Sequence, residues 1–307
     1  MVNVNVSKDD LRYGKLPWAL PHPGPRSKSR IQPVPTRTRT VTRQLRSGEL
    51  LIDELSRVTS ELGATSSSVR FLSGSLSPLH YCIPAEGIGQ RVAWYSAERI
   101  VEEASMVDGT ATVGLRNGES FAHLHLRWRD QQEVLLGGHL WPETVVGSPA
   151  VVVEVVGLYD AEWASVEDPE TLMPTFRPYP LGPTRQMATS EGTISAVVAR
   201  VLPGEDITEA AIEIAREAGF AKAAVAVGTG SLIGGYYKDP SSGIITIVQG
   251  PATEVFNLAG EIDTQLGAES NLLTCSMVDR HGEVHHGTLV PEQNPVAVTF
   301  ELTITEL

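Results

Sequence analysis

The chain contains the same pattern twice, at a constant separation of 156 residues. Residues 45–84 and 201–240 superpose without a gap, and many of the matches are glycines or prolines, which shape the backbone. The matched pairs are Gly48 with Gly204, Glu49 with Glu205, Gly63 with Gly219, Val69 with Val225, Gly74 with Gly230, Ser75 with Ser231, Leu76 with Leu232, Tyr81 with Tyr237 and Pro84 with Pro240. A repeat of this length indicates a tandem duplication, so the chain is expected to fold as two copies of one domain.

Each copy begins with a Gly-Glu turn that leads into an amphipathic helix of about 14 residues. The second copy shows the helix best, with apolar residues at helical spacing: Ile207, Ala211, Ile214 and Ala215. Gly63 and Gly219 then suit a left-handed helix end. A strand, a Gly-Ser turn and several short apolar runs follow, without strand–helix alternation. We expect an α+β fold of two tandem repeats, each a mostly antiparallel β-sheet domain with one main helix.

The duplication divides the chain into four segments. Residues 1–38 are poor in apolar side chains and rich in Pro, Arg, Ser and Thr, which predicts an extended or wrapping arm. Residues 39–158 form the first domain and residues 189–307 the second. Residues 159–188 carry five prolines and are interpreted as a linker. Aromatic residues predict that this linker packs on a surface: Tyr159, Trp163, Phe176 and Tyr179.

Charge is distributed unevenly along the chain. Residues 1–46 hold ten Lys or Arg and two Asp, a local charge of +8, so the rest of a chain with net charge −13 carries −21. A body this acidic repels nucleic-acid phosphates, and any such contact would have to come from the arm. The simpler expectation is that the arm docks on the acidic body or on a neighbouring subunit.

Composition predicts a cytoplasmic protein without membrane contact. No run approaches the ~20 apolar residues that span a bilayer. The first residues lack the basic-then-apolar layout of a secretory signal. Cys82 and Cys275 lie far apart in the sequence and make no disulfide framework, so we expect two reduced core residues.

Residues 122–140, AHLHLRWRDQQEVLLGGHL, predict a hairpin that carries three histidines. Side chains alternate faces along a strand, so His123 and His125 point the same way. A three-residue turn at 131–133 places His139 opposite His125, whereas a two-residue turn would send it to the other face. A catalytic zinc is usually held in this way, by three neutral imidazoles with an open fourth position. The alternative is that the strand histidines are ordinary sheet-face residues and His139 serves a tight Gly-Gly turn.

The second copy keeps this hairpin and lacks the three histidines. Its later part aligns at a shift of 149, which sets Asp279 against Asp130 and places Leu272, Thr274 and Thr288 where His123, His125 and His139 stand. Because the same hairpin forms from Leu, Thr and Thr, the histidines favour a functional role. We expect one site per chain, in the first domain only, and a structural second copy. Its own histidines are expected to face solvent at the hairpin turn: His281, His285 and His286.

The HLH and GGHL segments, with a Gly-Glu turn, a helix closing on glycine and a GSL turn, resemble the plant- and prokaryote-conserved (PPC) domain family. The resemblance covers both copies, about residues 40–158 and 190–307, and only the first has both histidine segments. It implies a small α+β domain that assembles into trimers, so a tandem chain would form a homotrimer of six domains. It also implies a metal held by His123, His125 and His139, for which we expect a divalent ion, zinc.

The first functional hypothesis is a metal site that binds or acts on a small ligand, such as a carboxylate. Arg127 continues the face of the strand histidines and is a candidate to hold a carboxylate; the alternative is a surface arginine. Trp94 and Tyr95 are candidate pocket walls, or else core and interface residues. Glu119 and Glu98 are candidate proton carriers, chosen only for proximity in sequence. No reaction type follows from these residues, so enzymatic activity and any catalytic residue stay open.

The alternative hypothesis is a DNA-binding or regulatory assembly protein that uses the basic arm. Bacterial members of the family are often labelled DNA-binding, and plant members carry an AT-hook before the domain. This chain has no Arg-Gly-Arg-Pro core. Its Pro-Arg segment also lacks the glycine of that core, which lets a hook lie flat in the minor groove; the residues of this segment are Pro25, Arg26, Lys28 and Arg30. Binding through the arm would weaken steeply with salt.

Overall fold

The structure, a computed structural model, describes residues 20–182 and 193–307. The first half of the arm, the end of the predicted linker and its boundary at 188/189 lie outside the described residues. None of the helices in the described ranges is long and apolar enough to cross a membrane.

Between residues 20 and 158, the structure contains one helix, α1 (Leu51–Glu61), and eleven strands. The strands are β1 (Ile31–Gln44), β2 (Ser66–Ser73), β3 (Ser75–Leu76), β4 (Leu79–Cys82), β5 (Pro84–Glu86), β6 (Ala93–Tyr95), β7 (Arg99–Val101), β8 (Ala104–Arg116), β9 (Glu119–Arg129), β10 (Leu135–Leu140) and β11 (Val152–Leu158).

Two strands, β12 (Ala161–Glu167) and β13 (Pro174–Pro180), connect this half to the second. The second half contains α2 (Ile207–Glu217) and a short 3-10 helix (Ala268–Ser270). Its strands are β14 (Ile194–Val201), β15 (Lys222–Leu232), β16 (Gly235–Lys238), β17 (Ile245–Val248), β18 (Thr253–Ala259), β19 (Glu261–Asp263), β20 (Thr274–Val278), β21 (Val284–Leu289) and β22 (Val296–Glu306).

The two halves repeat one architecture, and the predicted α+β fold class is confirmed. The first sheet runs β1-β11-β2-β8-β9-β10-β4-β7, and the second runs β14-β22-β15-β18-β20-β21-β16-β17. Every pairing in these two series is antiparallel, and β12 adds a parallel pair with β8. Each half has its own apolar core between helix and sheet.

The helices follow the predicted pattern, although each has 11 residues where about 14 were expected. The first buries Leu51, Leu55 and Val58 against its sheet. Gly63 and Gly219 have φ angles of 72° and 80°, so both helices end in the left-handed conformation that the glycines predict.

Strand β1 belongs to both domains. Its first part, Ile31 to Thr38, pairs with β14, and its second part, Thr38 to Gln44, pairs with β11. The predicted boundary between arm and domain therefore falls inside one continuous strand, at the residue where it changes partner. The described part of the arm docks on the body, which was the simpler expectation.

The segment interpreted as a linker is a buried hairpin. Strands β12 and β13 pair in regular register, from Ala161 with Pro180 to Glu167 with Pro174. Trp163 and Phe176 are buried in a small core that also includes Val34 of β1. Trp163 and Phe176 thus form part of the fold, because alternate side chains of the hairpin point inward, whereas Tyr179 is exposed.

A layer of hydroxyl groups lies between the two domains. Thr110 on β8 donates to the Gly228 carbonyl at 3.1 Å and accepts from Thr229 at 2.9 Å. Ser68 on β2 bonds Thr303 on β22 at 2.6 Å. Thr110 pairs with His125 of β9, so the odd-numbered residues of β9 lie on this same face of the first sheet. This face is turned toward the second domain.

Candidate metal centre

The hairpin of β9 and β10 brings the three histidines together in the predicted register. Asp130 and Val134 close a three-residue turn, and His139 pairs with His125. The Asp130 side chain accepts the backbone N–H groups of Gln132 and Val134, which fixes the turn. The even-numbered residues of β9 fill the first core, so its odd-numbered histidines point toward the second domain.

Hydrogen bonds fix which nitrogen of two imidazoles faces the centre. His125 Nδ1 donates to the Val255 carbonyl at 3.0 Å, and His123 Nδ1 donates to the Glu301 carboxylate at 2.6 Å. The Nε2 lone pairs of both rings therefore converge, with the two atoms 3.1 Å apart. His139 Nδ1 lies 3.3 Å from His125 Nε2. Two lone pairs at this distance repel unless a proton or a cation lies between them.

The nitrogen separations fit a tetrahedral metal ion. Nitrogens bound at ~2.0–2.1 Å in a tetrahedron are about 3.3–3.4 Å apart. Two of the three separations here are 3.1 and 3.3 Å, and all three atoms lie within 4.8 Å of one another. Burial lowers the pKa of His125 and His139 well below the usual value, and His123 lowers both further. Neutral imidazole is the form that ligates a metal, so this donor set suits a divalent ion.

The second domain contributes to the surroundings of this centre, which corrects the expectation of a site in the first domain only. Glu301 on β22 holds His123 and accepts from Thr112 Oγ1 at 3.1 Å. Glu254 on β18 places Oε1 3.8 Å from His125 Nε2, and burial raises the pKa of this carboxyl well above its usual value. Within the described ranges, Glu301 Oε1 and Glu254 Oε2 are buried without a hydrogen-bond partner.

A cavity of about 250 Å³ opens beside the histidines. The polar part of its lining includes the three imidazoles, Glu254, Glu301 and Arg116. Aromatic and apolar side chains form much of its remaining wall: Trp94, Tyr95, Phe121, Trp141, Met173 and Phe176. The Tyr95 ring centroid lies 5.0 Å from that of His139, so the aromatic wall reaches the centre itself.

The structure brings only some of the predicted site residues to this cavity. Trp94 and Tyr95 line it, as the pocket-wall hypothesis expected. Arg127 lies elsewhere and forms a two-point ion pair with Asp108 at 2.7 and 2.9 Å, because its position on β9 is beyond the cavity. Glu98 is exposed and bonded to His80 at 2.8 Å. Glu119 is exposed at the β8–β9 turn and does not line the cavity.

Sequence reasoning missed three charged residues of the cavity. Glu301 left one signal, because a glutamate inside the apolar strand Val296–Glu306 is expected to have a buried partner. Glu254 and Arg116 left no comparable signal. Their positions depend on how the two domains pack, which local patterns do not report.

The corresponding hairpin of the second domain has the predicted substitutions. Thr274 pairs with Thr288 as His125 pairs with His139, while Leu272 precedes the strand and is exposed. His281 and His286 are exposed, and His285 is half-buried on β21 with Nε2 3.1 Å from Asp279. A further group of possible metal ligands consists of Asp279, Glu283 and His285. The Asp279 carboxylate accepts from the backbone N–H of Glu283 and from His285 Nε2.

Basic residues of the described arm pair with acidic residues of the body. Arg30 meets Glu170 at 2.6 Å, and Arg37 meets Asp160 at 2.6 Å in a two-point contact. Arg26 lies 3.4 Å from Glu205. These contacts use part of the positive charge that DNA binding through the arm would require.

Comparison with protein families finds the Plants and Prokaryotes Conserved (PCC) domain at residues 33–156 and again at 188–307. A comparison with curated proteins finds no match.

Several solved structures resemble a single domain of the chain. A metal-containing protein from Archaeoglobus fulgidus is 16% identical, over 45% of this chain and 93% of its own, with a TM-score of 0.38. A plant- and prokaryote-conserved (PPC) protein from Pyrococcus horikoshii is 16% identical, over 45% and 92%, with a TM-score of 0.37. A hypothetical protein from Salmonella enterica is 25% identical, over 36% and 77%, with a TM-score of 0.33.

Proposed function

The chain belongs to the Plants and Prokaryotes Conserved domain family, with one domain in each half, and on this premise we propose that it works through a divalent metal ion. His123, His125 and His139 are the proposed ligands, and zinc is the proposed ion. The metal serves a small-molecule site in the adjacent cavity.

One observation carries this proposal. The bonds from His123 to Glu301 and from His125 to the Val255 carbonyl turn two ring lone pairs toward one point. Ligand histidines in metal proteins are held in this way, by a carboxylate or carbonyl on the other ring nitrogen. Without a cation or an added proton between them, two lone pairs 3.1 Å apart would repel each other.

A divalent ion at such a centre can polarise a ligand oxygen or lower the pKa of bound water to about 7. The remaining roles, lining the ligand site and exchanging a proton with the ligand, would fall to side chains of the protein. Aromatic side chains, Trp94 and Trp141 among them, would give the ligand an apolar wall. Glu254 lies within the cavity and is the carboxyl best placed to exchange a proton with a ligand, in place of Glu98 and Glu119.

Metal analysis of the full chain, purified without chelators, tests the proposal. We expect about one zinc per chain from the three-histidine donor set. His125→Ala should abolish it, and His286→Ala, which removes an exposed histidine, should leave it unchanged. A metal-free wild-type protein that also fails to take up added zinc would reject the proposal.

DNA binding through the arm has weaker support, because the three arginines in the described part of the arm are paired with carboxylates of the same chain. A gel-shift assay over a range of salt concentrations tests it. We expect no complex at physiological ionic strength. A complex that weakens steeply with salt would restore this alternative.

We also propose that the protein is a cytoplasmic homotrimer of tandem chains. Closed symmetric assembly is the general rule for soluble oligomers. Cys82 and Cys275 are both buried and unpaired, which suits a reducing compartment. Light scattering after size-exclusion chromatography would measure the chain count, and a value other than three contradicts the assembly.

A further inference from the structure

We propose that the cavity binds a small aromatic monocarboxylate, with Arg116 holding the carboxylate and the three imidazoles facing the opposite end of the ligand. This inference rests on the proposed small-molecule site and names its ligand class. It replaces Arg127, which is already paired with Asp108, as the anion-binding residue.

Arg116 is available to a ligand. It lines the cavity, and its guanidinium carbon lies 5.1 Å from the centroid of the Phe121 ring. Across residues 20–182 and 193–307 it forms no ion pair, whereas Arg30, Arg127 and Arg200 each pair with a carboxylate. A cation–π contact of this kind uses no N–H group, so among the described residues the guanidinium keeps its donors for the two-point contact that suits a carboxylate.

The strands set the distance between the two ends of the ligand. Phe121 and His123 are neighbours on the same face of β9, since they are two residues apart. Two residues of a strand span about 7 Å. Arg116 pairs with Glu119, on the side of Phe121 away from His123, so the guanidinium and the imidazoles are at least one such step apart and leave room for a single ring between them. A benzoate with an oxygen donor in the para position carries its two polar ends on opposite sides of such a ring.

The walls and charges of the cavity favour a single ring with one negative charge. Its volume of about 250 Å³ is below the ~300–1,000 Å³ typical of drug-sized ligands. Arg116 is the only Lys or Arg among the described residues that line it, and Glu254 and Glu301 lie in the same wall. A dianionic phosphate ester would bring more charge to this end of the cavity than Arg116 alone can balance, because the proposed metal ion lies at the other end.

Calorimetric titration of the full metal-loaded chain tests this proposal with 4-hydroxybenzoate and its neutral analogue 4-hydroxybenzamide. We expect the carboxylate to bind at least tenfold more tightly than the amide. Arg116→Gln should weaken binding of the carboxylate at least tenfold and leave the amide unchanged. Arg116→Lys, which keeps the charge without the two-point contact, should give an intermediate loss. Arg129→Gln removes an exposed arginine of the same hairpin and should bind as wild type does.

Three results would overturn the proposal. These are equal binding of acid and amide, unchanged binding by a folded Arg116→Gln protein, and inorganic phosphate binding as tightly as 4-hydroxybenzoate. Metal content measured on the same samples separates this proposal from the metal proposal. A chain that holds zinc but binds the acid without Arg116 refutes the ligand class alone. Binding that depends on Arg116 in a chain that never takes up metal supports the ligand class and refutes the metal centre.

Discussion

Replacing Glu301 with Gln tests whether the second domain controls the centre in the first. In the wild type a carboxylate accepts the His123 Nδ1 proton at 2.6 Å. The amide oxygen can still accept this bond without a charge. Hydrogen bonds to charged groups contribute about 1.5–3 kcal/mol and neutral ones about 0.5–1.5 kcal/mol, so the expected loss is about 1–2 kcal/mol. Zinc affinity should therefore fall about 5- to 30-fold, since 1.4 kcal/mol is tenfold.

Competition with a chromophoric chelator would measure this loss of affinity. Glu306→Gln, an exposed acid at the end of the same strand, is the control and should bind zinc as wild type does. The metal-free Glu301→Gln protein should be at least as stable to urea, because the change removes a buried charge with one oxygen unsatisfied. Unchanged zinc affinity would refute the reasoning. If the metal-free variant unfolds at a lower urea concentration than the metal-free wild type, Glu301 stabilises the fold and not the metal centre.

Three further substitutions test the packing, each by urea unfolding. Trp163→Ala should cost about 3–5 kcal/mol, because this fully buried ring anchors the β12–β13 hairpin; a loss under about 1 kcal/mol would return the segment to the role of a linker. Gly137→Ala sets a methyl group against the Phe256 ring of the second domain, so it should cost about 1–3 kcal/mol and also weaken zinc binding. Arg200→Met leaves Asp168 buried without its partner at 2.8 Å and should cost about 3–5 kcal/mol; wild-type stability would contradict this.

Local sequence patterns predicted much of the fold, and they predicted that the three histidines lie together on one sheet face. The repeat is visible partly because two of its matched glycine pairs, Gly48 with Gly204 and Gly63 with Gly219, hold positive φ angles in both copies. The histidine face followed from strand alternation and from one turn length, both of which are properties of a short segment. Such features can be recognised in a short segment without knowing how the rest of the chain folds.

The carboxylates and the cavity arginine could not be predicted in this way. Glu254 and Glu301 reach the centre only because β18 and β22 of one domain pack against β9 of the other. This is a contact between residues more than 120 positions apart, and no periodicity encodes it.

Strand β1 was also hidden from pattern reasoning. Pro33 and Pro35 suggest an irregular arm, yet they stand two residues apart and so direct their nitrogens to the same edge of the strand. Only β14 pairs with this part of β1 in the described structure. Prolines are tolerated where the other edge stays open.

The sharing of β1 has a consequence for synthesis of the protein on the ribosome. Its first eight residues, Ile31 to Thr38, emerge about 160 residues before their partner β14. At roughly 5–20 residues per second, they wait about 10–30 s. During that interval they form an unpaired edge, on which neighbouring nascent chains could add a strand. Pro33, Pro35 and Arg37, the residues that make this stretch look unlike a strand, also protect the nascent chain from such pairing.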